Sequence, residues 1–75
     1  MKAYILISTR NGEASAVVLQ AKRLEGIIEA HITFGPYDVV AVVEANDTKT
    51  VGHIVHNEVQ PIPGVLDTLT CLAVD

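Results

Sequence analysis

Tryptophan is absent, and phenylalanine and cysteine occur once each, at Phe34 and Cys71. A single thiol cannot close a disulfide within the chain. With no cysteine–histidine array, no structural zinc is expected to staple a small core. Positive charge is also scarce: Lys2, Arg10, Lys22, Arg23 and Lys49 face nine acidic residues, and only Lys22 and Arg23 are adjacent. The resulting net charge of −4 argues against duplex binding, which leans on several phosphate contacts, so no direct DNA binding is expected. Long hydrophobic runs are missing too. Val39 to Val43 is an uninterrupted run of five, far short of the roughly 20 residues of a membrane-spanning helix. The start of the chain has one lysine and no signal-peptide architecture, so no membrane partner is expected and the expected location is cytoplasmic.

What is present is apolar material: 49% of 75 residues, with only 19% charged. That length makes one domain, residues 1–75, whose single core buries a modest fraction of its surface. Self-association gives the surplus apolar surface somewhere to go, and an oligomer is therefore expected.

The periodicities are legible. Ala3 to Ser8 reads as a strand, and TRNG after it as a turn. From Glu13 the period changes, placing Ala14, Val17, Val18, Ala21 and Leu24 on one helical face. Glu13 suits the positive end of that helix, Lys22 and Arg23 the negative end, and Gly26 a terminator. Ile28 to Phe34 alternates, with Ile28, Ala30, Ile32 and Phe34 opposite Glu29, His31 and Thr33. Asp38 to Ala45 is valine-rich, as a central strand is. Asn46 is positioned to cap a second helix whose stripe is Val51, Ile54, Val55 and Val59. IPG ends it, and Leu66 to Val74 is a final strand with Thr68, Thr70 and Leu72 on one face and Leu69, Cys71 and Ala73 on the other. The order β-α-β-β-α-β predicts an α+β ferredoxin-like sandwich, a four-stranded antiparallel sheet with two helices on one face. Its other face must be polar, liganded or buried against a second subunit.

Two stretches carry candidate chemistry. Gly35-Pro36-Tyr37-Asp38 is a turn in which Pro36 fixes φ and Gly35 eases entry. Gly35 also lets a ligand approach the backbone, Tyr37 can form a wall, and Asp38 can accept from a ligand ammonium. The turn and site readings are compatible. Thr68 and Thr70 satisfy β preference; placed beside the Asp38 turn, their hydroxyls could receive a carboxylate, giving a zwitterion both charge types. His53 and His56 are three apart on one helix but lack a third ligand, so no metal site is expected. No spacing ties Ser8, Ser15 or Cys71 to a histidine base, and Cys71 reads as an inert buried thiol. No glycine loop cradles a phosphate, and no cofactor is expected.

EAHITFGPYDVVAVVEA, Glu29 to Ala45, followed by IPGVLDTLTCLAV, Ile62 to Val74, resembles the ligand-binding and oligomerisation (RAM) module of the leucine-responsive/asparagine (Lrp/AsnC) transcription regulators. The resemblance covers essentially the whole chain, and its most specific feature is GPYD coupled to IPGV and TLT. It implies a βαββαβ fold, homodimers made by packing sheets, and higher even-numbered rings of dimers. It also implies a free amino acid held between dimers by residues matching Gly35, Pro36, Tyr37, Asp38, Thr68 and Thr70. Full-length members carry an N-terminal helix-turn-helix domain, whereas Met1 here is followed at once by the first strand. A stand-alone module is thus expected, with full-length Lrp/AsnC-type regulators as further partners.

The leading expectation is a non-enzymatic, amino-acid-binding oligomer that regulates transcription or amino acid metabolism. The alternatives are a purely structural oligomer with no small-molecule ligand, and a small dimeric α+β barrel enzyme, which needs a titrating group projecting into a cavity.

Overall fold

The computed structural model describes Met1 to Asp75. Its elements are β1 (Lys2–Thr9), α1 (Ala14–Lys22), β2 (Ile27–Ile32), β3 (Val39–Glu44), α2 (Thr48–Ile54) with a π-helical continuation at Val55–Val59, and β4 (Val65–Leu72). The strands form one antiparallel sheet in the order β2-β3-β1-β4. This is the ferredoxin-like βαββαβ architecture, with both helices on one face. No helix is long and apolar enough to cross a membrane.

The sheet register decides what each face shows. On the helix side, Thr70, Ile5, Ala41 and Ala30 form one cross-strand row, and Thr68, Ile7, Val39 and Ile32 the next. The centre of that side is sealed: Ala3, Ile5, Ile7, Val39, Ala41 and Val43 are all fully buried. α1 covers it with Val17, Val18 and Ala21, and α2 with its continuation adds Val51, Ile54, Val55 and Val59. Each fully buried valine or isoleucine contributes about 1.5–3 kcal/mol against the entropy of ordering it. The expected apolar stripes of both helices are the ones that pack.

Local chemistry shifts several element ends. Asp47, rather than Asn46, caps α2: it has extended backbone (φ −154°) and its Oδ1 accepts from the Thr50 N–H at 2.8 Å. The Thr50 hydroxyl, and then its N–H, hold the Asp47 carboxyl below its ordinary value of 3.8. α1 ends at Lys22 with Arg23 as its C-cap, so Gly26 is not its terminator but part of the turn into β2. A bulge between Ile27 and Glu29 removes Ile28 from the face of Ala30 and Ile32 and puts Ile27 there instead. In the IPG connection, Gly64 is buried at φ +100°, where an added Cβ would lie 2.8 Å from Glu13 Oε1.

Candidate functional site

The β2–β3 hairpin brings Gly35, Pro36, Tyr37 and Asp38 to one end of the sheet. Its loop is pinned at three points: the Thr33 N–H donates to Asp38 O at 2.9 Å, the Thr33 hydroxyl donates to Tyr37 O at 2.7 Å, and the Asp38 N–H donates to Ile7 O at 2.9 Å. The Asp38 Oδ2 accepts from the Thr9 N–H at 2.8 Å, where Thr9 is only 7% exposed. Asp38 therefore ties the hairpin to the end of β1 with one oxygen, and its other oxygen makes no hydrogen bond within the chain. Asp38 shares a shallow cleft with Thr33, Phe34 and Gly35. The apolar side of the loop, Phe34, Pro36 and Tyr37, forms a second cleft with Leu6 and Val40. Phe34 itself is fully exposed. Gly35 has open space around it and φ outside the left-handed region, so the turn does not demand glycine.

Thr68 and Thr70 lie on β4, the far edge of the sheet, paired with Ile7 and Ile5. They belong to the helix side, whereas Leu6 and Val40 beneath the hairpin belong to the opposite side. β1 separates β4 from β3. No cleft of the protomer is lined by both groups; Thr68 shares a cleft with Gln60, Val65, Leu66 and Asp67. The six expected ligand residues thus fall into two clusters on one chain, a hairpin cluster and a β4 cluster. Thr68 is held firmly: its N–H donates to Asp67 Oδ1 at 3.0 Å, and its Oγ1 accepts from Gln60 Nε2 at 3.0 Å. Gln60 carries no signal in the sequence; its place beside Thr68 comes from the turn at IPG folding back.

The open side of the sheet is apolar at its centre. One row runs Leu69, Leu6, Val40, His31 and the next Cys71, Tyr4, Val42, Glu29. Tyr4 is 40% exposed and Leu69 49%, while His31 and Glu29, joined at 3.0 Å, form a polar rim on β2. Cys71 is exposed on this side, which overturns the expectation of a buried thiol. The alternation placed it with Leu69, but did not say which side the helices cover. His53 Nδ1 lies 2.7 Å from Asn57 Nδ2, and no group of three or more His, Cys, Asp and Glu side chains is arranged to hold a metal ion.

The model of the Lrp/AsnC ligand binding domain matches residues 2–75 of this chain. An uncharacterised HTH-type transcriptional regulator of Pyrococcus abyssi is 34% identical over 59 residues, 79% of this chain and 39% of the relative. The chain thus spans about two fifths of that relative's length. Among solved structures, the protein TTHA0845 of Thermus thermophilus superposes with a TM-score of 0.93 at 30% identity, covering 99% of this chain and 92% of that one. A transcriptional regulator of Neisseria meningitidis, solved as its L-methionine complex, shares the fold with a TM-score of 0.86 at 17% identity, over 99% of this chain and 49% of that one.

Proposed function

Since this chain belongs to the Lrp/AsnC ligand-binding domain family, we propose that it is a non-enzymatic regulatory module that binds a free amino acid between copies of itself. The observation that carries the reading is the split of the candidate site into complementary halves. The hairpin offers an unengaged carboxylate oxygen of Asp38, suited to an ammonium, with Gly35 leaving the approach open. β4 offers the hydroxyls of Thr68 and Thr70, suited to a carboxylate. A zwitterion needs both, and a second copy supplies the missing half. The apolar open side of the sheet makes a homodimer, leaving hairpin and β4 edge free to meet their counterparts in a ring of dimers. Binding at such a junction regulates by favouring one assembly over another. Mixing with full-length Lrp/AsnC-type regulators through the same contacts would carry that signal to transcription.

Native mass spectrometry with and without a panel of amino acids tests this. A stoichiometric adduct on an even-numbered oligomer is expected. The second reading, a purely structural oligomer, is favoured by the Asp38–Thr9 hydrogen bond, which gives Asp38 a role with no ligand. A bare even-numbered oligomer with every amino acid would select it. A persistent monomer would refute both.

A further inference from the structure

We propose that Asn11 is a self-modifying site: its side-chain amide is lost through a cyclic imide with the Gly12 nitrogen, leaving aspartate and isoaspartate in the turn between β1 and α1. The chemistry needs only water and stands apart from the amino-acid-binding reading. Asn11 and Gly12 are both exposed. They are the central residues of a β-turn closed by the Glu13 N–H, which donates to Arg10 O at 3.0 Å. Gly12 has φ +81°, and a Cβ added there would meet nothing within 4 Å. Its nitrogen is unshielded, and its N–H donates to no acceptor in the chain. A positive φ at the second central residue alone is the type II pattern, which turns that nitrogen away from the Asn11 side chain. The turn must therefore open before the ring closes. Little holds it shut: one hydrogen bond, and an Arg10–Glu13 ion pair at 3.7 Å between side chains 59% and 40% exposed. Once it opens, the Gly12 nitrogen gives its proton to a solvent base and bonds to Asn11 Cγ. The Cγ–Nδ2 bond then breaks and ammonia leaves, protonated by solvent. Water adds to the imide: cleavage at Cγ gives aspartate, and cleavage at the main-chain carbonyl gives isoaspartate, with the chain rerouted through the side chain. One water is consumed and one ammonia released. The other asparagines lack this opening. Asn46 precedes Asp47 and Asn57 precedes Glu58, side chains that crowd the nitrogen, and Asn57 is held in the π-helical turn with its Nδ2 2.7 Å from His53 Nδ1.

The two residues before Asn11 make long-range ties: the Thr9 N–H donates to Asp38 Oδ2 at 2.8 Å, and the Arg10 N–H to Gly64 O at 2.8 Å. Isoaspartate lengthens the main chain directly after them and loosens both, while the new carboxylate adds negative charge to a chain already at −4. The test is to incubate the whole protein in heavy-oxygen water at neutral and at mildly alkaline pH. Peptide mapping with electron-transfer fragmentation then separates isoaspartate from aspartate. Heavy oxygen is expected in the Asn11 peptide, as both products, faster at the higher pH, with none at Asn46 or Asn57. Asn11→Gln, which must close a larger ring, should stay unmodified over the same time. No uptake, aspartate alone at Asn11, or uptake shared equally by the three asparagines would each overturn the proposal. The isoaspartate-bearing protein should also unfold at a lower urea midpoint than Asn11→Asp, which carries the same charge on an ordinary backbone. Equal midpoints would overturn the loosening.

Discussion

Asp38 has two carboxylate oxygens and one partner in the chain, the Thr9 N–H at 2.8 Å. Charge and hydrogen bonding can thus be separated by substitution. Asp38→Asn keeps an acceptor for Thr9 and removes the charge; stability should change by less than about 1 kcal/mol, while a direct ammonium contact weakens by about 1.5–3 kcal/mol. Asp38→Ala leaves the Thr9 N–H, in a residue 7% exposed, without its partner and should destabilise the fold by about 1–3 kcal/mol. Urea denaturation reads the first quantity, and calorimetry with the amino acid that the proposed site would bind reads the second. Unchanged affinity in Asp38→Asn would remove Asp38 from the site; a fully stable Asp38→Ala would remove it from the scaffold. The motif was visible in the sequence, but not its division of labour, because Thr9 lies 29 residues away along the chain. The same distance in kind hid Gln60, which reaches Thr68 only after the IPG turn. At the start of α2 residue type placed the cap at Asn46, whereas the backbone geometry puts it one residue on, at Asp47.

Turns and elements respond differently to the same substitution. Gly35→Ala adds a Cβ into open space at a permissive φ, and should alter stability by less than about 0.5 kcal/mol. Any change it causes in assembly or ligand affinity then reports contact with another molecule. Gly64→Ala meets φ +100° and a Glu13 oxygen 2.8 Å from the new Cβ, so it should cost more than about 1 kcal/mol. Thermal and urea unfolding of the two variants check the contrast; equal stabilities would show that the IPG turn relaxes freely. Helix stripes were legible because 3.6-residue periodicity is local, and the buried Val51, Ile54, Val55 and Val59 follow it. The strands were less so: the β2 bulge inserts one unpaired residue, and period-2 reading carried Ile28 to the wrong face.

The whole molecule exposes 4711 Å², and a standard interface takes roughly 800 Å² from each partner, about a sixth of it. The open side, with Leu6, Val40, Tyr4, Leu69 and Cys71, is the surface fit for that burial. Cys71 is its own probe. The proposed sheet-to-sheet dimer would cover it, so in wild type its reaction with a thiol reagent should slow as protein concentration rises. Leu69→Lys, at a position 49% exposed, should leave the protomer folded, shift the dimer to monomer in sedimentation, and make Cys71 react at one rate at all concentrations. A wild-type rate independent of concentration, in a protein that sediments as a dimer, would place the dimer contact elsewhere.

The element order, the apolar stripes of both helices and the partition of β4 into a Thr68–Thr70–Leu72 face and a Leu69–Cys71 face can be read from the residues alone. All of these follow from local periodicity and residue type. Tertiary structure decided which sheet face the helices cover, and hence that Cys71 is exposed. It also decided that the hairpin and β4 halves of the candidate site stand apart on one chain, with β1 between their strands. Those are consequences of strand order and packing side, which depend on contacts between residues distant in sequence and leave no local mark.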